Sequence, residues 1–304
     1  MADHCLPHSW PASVSCASAR GLAFLAVAAI ASPVAAQGGT GLVLTEPGSV
    51  RAASLQGAGA AMMGDAGSVF TNPAGLATIA HIALEGSYTR LTTQNTLLTG
   101  AMGWRLSQFD FGAGIKYLDH GPGGNYEALG VGSLIYRFGL IAMGGSAKVL
   151  RQETATGRTQ GVSGDLGLAI AVFDIMALGF SVQNVHGNWN PNSPLAMPRV
   201  TRLGFTMNYV DPQESFRLLS TIESQWTDGL GGRLVLGLEG GLVLGHAIGV
   251  LGRVAYGGRY DGAMTSHFTW GVTAELGWVD VDYALEPTDA LGERGQRLGV
   301  RLTL

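Results

Sequence analysis

The stretch that decides the architecture is His267-Phe268-Thr269-Trp270-Gly271-Val272-Thr273-Ala274-Glu275-Leu276-Gly277-Trp278. Phe268, Trp270, Val272, Leu276 and Trp278 alternate with His267, Thr269, Gly271, Thr273, Glu275 and Gly277. A period of two puts the two sets on opposite faces of a strand. Next, Val279, Val281, Tyr283 and Leu285 oppose Asp280, Asp282, Ala284 and Glu286. The chain ends with Leu298, Val300, Leu302 and Leu304 against Arg297, Gly299, Arg301 and Thr303. Further upstream, Phe109, Phe111, Ile115 and Tyr117 oppose Asp110, Gly112, Gly114 and Lys116, and Leu203, Phe205 and Met207 oppose Arg202, Gly204 and Thr206.

In a soluble sandwich the second face would meet bulk water and be rich in Lys and Glu. Here it is mostly Gly, Ala, Ser and Thr with scattered charges, which suits the crowded inside of a barrel. The Leu/Phe/Val/Trp face suits lipid. Composition points the same way. Charged residues are 13% and hydrophobic ones 46%, against about 25% charged in ordinary soluble domains. Beyond residue 36 no apolar run of about 18 residues could span a bilayer as a helix, and only helices and closed barrels satisfy their backbone in lipid. The expected fold is all-β: a transmembrane antiparallel β-barrel of about fourteen strands with an N-terminal lumenal hatch. Longer connections follow odd strands (119–125, 151–160, 186–199, 257–266, 287–295). Tight turns follow even ones (107, 138, 174, 211–213, 244–245), which puts both termini on the short-turn, periplasmic side. The register places Phe109, Phe205, Phe268 and Leu302 outside and Gly112, Thr206, Glu275 and Arg301 inside.

Three segments follow. Residues 1–36 read as a signal peptide: Arg20 precedes the apolar Leu22–Ile30, and small residues at Val34 and Ala36 fit cleavage near Ala36. Both cysteines, Cys5 and Cys16, fall in it, so the mature chain has no disulfide, thiolate metal site or cysteine nucleophile. Residues 37–80 lack clean alternation and read as a hatch or plug. Leu55, Met62, Met63, Val69, Phe70 and Leu76 give this part more apolar content than a solvated tail carries. Residues 81–304 form the barrel.

Chemistry-bearing motifs are few. Gly57-Ala58-Gly59-Ala60-Ala61-Met62 imitates a dinucleotide fingerprint but has Met in sixth place and no clear strand before it. Histidines 81, 120, 186, 246 and 267 stand at no ligand spacing, and His267 beside Ser266 fits a loop or rim better than a barrel lipase. The chain reads as a non-enzyme with no cofactor, metal or catalytic residue. The net charge of −4 gives no footprint for nucleic acid. The charged candidates for the lumen are Asp110, Lys116, Arg202, Glu223, Glu239, Arg253, Glu275, Asp282 and Arg301, with Asp165, Arg217, Arg233, Asp280 and Arg297 beside them. They line a polar path or pair across the barrel, and pairing is preferred. In the hatch, Pro73 fixes its own φ and restricts Asn72 to extended backbone, so the Asn72 amide can bond nearby main chain. Asp65 caps a turn or pairs with a lumenal arginine.

Residues 51–77 also resemble the hatch of the FadL-like outer-membrane family, and most closely its PorV/PorQ branch. The resemblance is carried by Arg51-Ala52, Gly57-x-Gly59, Gly64-Asp65 and Phe70-Thr71-Asn72-Pro73-Ala74-Gly75-Leu76, then by 164–185, Pro198–Gly204, 237–239 and Asp282-Tyr283-Ala284. It covers nearly the whole mature chain and implies a fourteen-stranded outer-membrane barrel with a hatch motif at Asp65, Phe70, Asn72, Pro73, Ala74 and Gly75. The fatty-acid branch implies inward transport of hydrophobic small molecules, released sideways through a gap in the wall. The PorV branch implies partnership with secreted proteins in a type IX-like export system. A structural barrel is the third reading. The partners expected are outer-membrane lipid and either hydrophobic small molecules or secreted proteins. The chain departs from many barrels in ending Leu302-Thr303-Leu304 without an aromatic residue.

Overall fold

The structure, a computed structural model, describes residues 41–155, 157–172, 175–209, 215–244, 248–258, 268–288 and 293–304. The expected signal segment, the Ser266–His267 pair and the turn residues 174, 211–213 and 245 lie outside these. Two short helices, α1 (Leu42–Thr45) and α2 (Val50–Ser54), are followed by 3-10 turns at Ala66–Phe70 and Pro73–Thr78. Fourteen strands follow: β1 (Ile82–Arg90), β2 (Thr96–Leu106), β3 (Phe109–Asp119), β4 (Tyr126–Phe138), β5 (Ile141–Thr154), β6 (Gly157–Val172) and β7 (Met176–Gln183). The second half is β8 (Val200–Asn208), β9 (Phe216–Thr227), β10 (Gly231–Leu244), β11 (Ile248–Gly257), β12 (Phe268–Leu276), β13 (Val279–Thr288) and β14 (Glu293–Thr303).

Each strand pairs antiparallel with its neighbours in sequence, and β1 closes the barrel on β14, from Ala83 opposite Thr303 to Arg90 opposite Gln296. Closure leaves no edge strand, so every wall backbone group can be bonded within the ladder. Along β11 the exposed and buried positions alternate without a break. On β12, Phe268, Trp270 and Leu276 are exposed while Thr269 and Thr273 are buried. Phe109 lies outside, and Thr206 and Arg301 lie inside. Exposed aromatics form a belt at each end of the wall. Trp104, Tyr209 and Trp278 lie toward the tight turns, and Tyr117 and Trp226 toward the longer loops.

The strands reach further than the apolar pattern indicates. Residues 151–160 read as a loop, yet Arg151 pairs with Gln160, Glu153 with Arg158 and Thr154 with Gly157. Glu286, Pro287 and Thr288 likewise pair with Gly295, Arg294 and Glu293. β5 has 14 residues and β6 has 16, whereas about 9–11 suffice to cross a bilayer. At the β5–β6 end every described position of the surplus from Arg151 to Gln160 is exposed or half-buried. It therefore has no reason to alternate, and periodicity misses it.

Replacing Leu238, exposed on the outer face of β10, by arginine should cost about 2–4 kcal/mol of unfolding free energy in lipid vesicles. Denaturant titration with tryptophan fluorescence measures this. A change close to zero would show that this face does not meet hydrocarbon.

Candidate functional site: a packed lumen

Residues 41–80 pack against the inner wall and carry nearly half of the buried apolar side chains among the described residues, including Val43, Leu55, Val69, Phe70, Leu76 and Ile79. The local turns follow from sequence. Ser49 Oγ accepts from the amide of Ala52 at the start of α2. Asn72, extended before Pro73, accepts from the amide of Ala74 through its side chain. Little of this segment is regular, so much of its main chain has no partner within itself.

Side chains of the wall supply those partners, sorted by charge. Carboxylates take amides: Glu223 Oε2 accepts from Gly59 and Ala60, both at 2.7 Å, Glu127 from Val43 at 2.9 Å and Glu85 from Gly67 at 3.1 Å. Cations take carbonyls. Lys116 donates to Glu46 O at 2.6 Å, Arg297 to Pro47 O at 2.8 Å, Arg233 to Gln56 O at 2.9 Å, Arg202 to Gly57 O at 2.8 Å and Arg105 to Ala77 O at 2.7 Å. Gln183 donates to Phe70 O. The same groups also pair with one another: Arg202 meets Glu223 at 3.0 Å.

An ionic ladder crosses the lumen beside α2. Arg51 forks onto Glu239, with two bonds of 3.0 Å, and reaches Asp65 at 2.9 Å. Asp65 meets Arg301 at 2.6 Å, and Arg301 holds Asp280 at 2.9 Å. Glu239 is shared with Arg253, which reaches Asp282 at 3.3 Å. Asp65 stands at the N-cap of its 3-10 turn without capping it; its partners are arginines. Burial pushes its carboxyl up, but the nearby Arg51 and Arg301 guanidinium groups more than offset this and bring it to about 2. It is therefore ionised at neutral pH.

Glycines on the inner face let the segment approach the wall backbone. A Cβ at Gly179 would fall 1.8 Å from Ala60 O, and one at Gly167 would fall 2.1 Å from Asn72 Oδ1. At Gly144 it would lie 3.1 Å from the Ala74 amide. In this trough Asn72 is fully buried, and its Nδ2 donates to Ala60 O at 2.6 Å and to Leu168 O of β6 at 3.2 Å. Pro73, Ala74 and Gly75 are buried beside it. Phe70 lies beneath Lys116, whose Nζ is 4.8 Å from the ring centroid.

The structure thus gathers Asp65, Glu239, Arg253, Asp282 and Arg301 into one network, and Arg202 and Glu223 into a second. Lys116 sits on main-chain carbonyls. Asp110 stands apart toward the tight turns, between Arg105 at 3.2 Å and Arg137 at 2.7 Å. Glu275 faces inward to Arg217 at 2.8 Å. Sequence reading did not single out Arg51 as an ionic centre, nor Glu85 or Glu127. Glu85 shares parity with Ala83 and Ser87, both buried, so its inward direction was readable; its partner Gly67 was not.

Between α2 and the first 3-10 turn lies a gap of about 10 Å³ bordered by Ser49, Arg51, Met62, Asp65 and Ser68, room for about one water. A larger apolar groove, about 580 Å³, runs along β14, β1, β2 and β3, where Leu84, Gly86, Gly100, Met102, Ile115 and Val300 line it. Several of these side chains point outward. The sideways gap that the resemblance implies is absent from this stretch: among the described residues, β1–β2, β2–β3 and β3–β4 pair without interruption.

No protein-family model and no curated protein matches the sequence. Solved structures do match in fold. The toluene transporter TbuX of Ralstonia pickettii is 13% identical, with 89% of this chain and 99% of that one covered and a TM-score of 0.56. The monoaromatic hydrocarbon channel CymD is 13% identical, with coverage of 86% and 98% and a TM-score of 0.57. A FadL homologue of Pseudomonas aeruginosa is 12% identical, with coverage of 83% and 97% and a TM-score of 0.54. At such identity the likeness is one of fold: the closed fourteen-strand barrel of FadL-like outer-membrane channels.

Gly179→Val should dislodge the 60–61 stretch, because its side chain would have to occupy the place of the Ala60 carbonyl. Gly130→Val, where an added Cβ meets nothing within 4 Å, is the matched control. Proteolysis of detergent-solubilised barrels should cut within 41–80 at least several-fold faster in Gly179→Val only. Equal rates would rule out the close approach.

Proposed function

We propose that this protein passes apolar small molecules across the outer membrane, with residues 41–80 as the hatch that closes its lumen. In this reading the export signal is removed near Ala36, and both termini face the periplasm. The observation that carries it is the closed lumen itself. It is filled by a segment that holds to the wall through side-chain contacts and can therefore leave it without breaking the barrel. The largest buried cluster of the filling is apolar: Val69, Phe70, Leu76 and Ile79 share it with Leu97, Leu118, Leu129 and Leu150 of the wall. A wall lined that way, once uncovered, receives hydrocarbon more readily than ions. Two of the matched structures, a toluene transporter and a monoaromatic hydrocarbon channel, support the same class of cargo. The reading as an export partner of secreted proteins gains no observation of its own.

The test is uptake of an apolar fluorescent probe by cells that express the barrel. Expression should raise the initial rate several-fold over cells without it, and no rise at normal barrel levels would refute transport. Asn72→Ala removes three hydrogen bonds, each worth about 0.5–1.5 kcal/mol net. It should raise basal uptake and leakage of small solutes while the barrel keeps its heat-resistant gel mobility. Wild-type uptake and leakage in that variant would remove Asn72 from the closure.

A further inference from the structure

We propose that the hatch divides rather than leaving whole: the lumen opens along the seam between α2 and the first 3-10 turn, with the Arg51–Asp65 ion pair as the latch. This rests on reading residues 41–80 as a hatch and adds how that hatch moves.

Four observations meet at the seam. The first is the packing of the two parts against different strands. α2 lies on β11 to β14, whereas the 3-10 turns lie mainly on β1 to β6. Their apolar contacts are separate as well: Val50 and Ala53 pack with Ala284, while Val69, Phe70 and Leu76 belong to the large cluster. The second is the junction between them. Gln56 and Gly57 have φ of 57° and 76°, two successive left-handed residues that make a sharp corner between α2 and the stretch that follows. The third is the gap of about 10 Å³, which lies between the two parts, beside Arg51 and Asp65.

The fourth is the order of charges, Glu239, Arg51, Asp65, Arg301, Asp280. Breaking the central link leaves Arg51 forked onto Glu239 and Asp65 on Arg301. No charge is orphaned. It is also the one link of the ladder that joins α2 to the 3-10 turn, since Glu239, Arg301 and Asp280 all belong to wall strands, and parting there strands no buried charge, which is what makes such ruptures costly. The Arg51–Asp65 contact is therefore where the two parts can separate while each keeps its ion pair with the wall. α2 would stay with Glu239 on β10, and the 3-10 turn would stay with Arg301 on β14 and Glu85 on β1.

Residues 41–304 contain no cysteine, so paired cysteines can lock either side of α2. A Cβ at Gly67 would lie 2.5 Å from Ser49 Cβ across the seam, and one at Gly271 would lie 2.5 Å from Ser54 Cβ across the wall contact. Both pairs begin closer than the roughly 3.8 Å of a disulfide, so each lock requires a local shift of the chain. The readout is single-barrel conductance in a planar bilayer with potassium chloride as the only probe, after gel mobility has shown each variant folded. Asp65→Asn, which leaves Arg51 on Glu239 and Arg301 on Asp280, should lengthen open time roughly ten-fold, equivalent to about 1.4 kcal/mol. The Ser49→Cys/Gly67→Cys barrel should be silent when oxidised and open again on reduction. The Ser54→Cys/Gly271→Cys barrel should open in both states. Openings that persist in the oxidised seam lock, a silent wall lock, or an unchanged open time in Asp65→Asn would each overturn the proposal. Because the probe is a salt, these outcomes are independent of apolar uptake, and either reading can fail alone.

Discussion

A barrel wall uses its own amide and carbonyl groups in its ladders, so it has few left for anything placed inside it. An irregular segment buried in that lumen therefore depends on side chains for its hydrogen bonds, and a buried amide or carbonyl without one costs about 1–3 kcal/mol. This constraint explains why so apolar a chain keeps acidic and basic side chains in its interior. Glu223, Glu127 and Glu85 stand under amides, and Lys116, Arg297, Arg233, Arg202 and Arg105 stand under carbonyls. The charges are arranged around the main chain of residues 41–80 first and around one another second. A polar lining built for solutes would have no reason to match donors and acceptors to a single peptide segment.

The wall was legible in the sequence because one physical cause, lipid on one face and a crowded lumen on the other, acts on every second residue. Thr269 and Thr273 against Phe268 and Trp270 show it directly. Where that cause ends the signal ends too, and the hairpin from Arg151 to Gln160 reads as a loop because its described residues are exposed or half-buried without alternation. The lumen was legible by residue but not by partner. Asp282 and Arg253 could be placed inside by parity alone, whereas pairing Arg51 with Glu239, 188 positions away, needs the closed ring. The glycines were misleading in a useful way. Their abundance fits a sheet with tight turns, yet Gly144, Gly167 and Gly179 lie within strands, where they let the backbone of residues 41–80 lie against the wall.

Wall and filling are held by different kinds of interaction, and their tolerances differ accordingly. The ladder is cooperative and has no end at which to fray. The filling relies on ion pairs and single hydrogen bonds, whose net worth is small because desolvation offsets attraction. Such contacts specify a position more strongly than they stabilise it. The separation is useful in a gate, since the contacts that define the closed arrangement are also ones that can exchange partners at low cost. Asp65 shows the pattern: ionised at neutral pH and shared by two arginines, it loses one of them without becoming unpaired.

The continuous ladders from β14 through β4 bear on the route that the proposed cargo would take. At β1 and β2 the outer face carries Gly86 and Gly100, and the inner face of β2 and β3 carries Gly103, Gly112 and Gly114 against Ile79, Leu76 and Phe70. Between the outer groove and the buried cluster there is little but main chain. The wall is thin there, but thinness is not an opening. Sideways passage would require several adjacent ladder bonds to break in an environment without water to replace them, which costs far more per bond than the same event in solution. Movement along the axis requires only that part of the filling shift, and its contacts can re-form with the wall as it does so. From this closed arrangement, the first step that the bonding permits is motion of residues 41–80 within an intact ring.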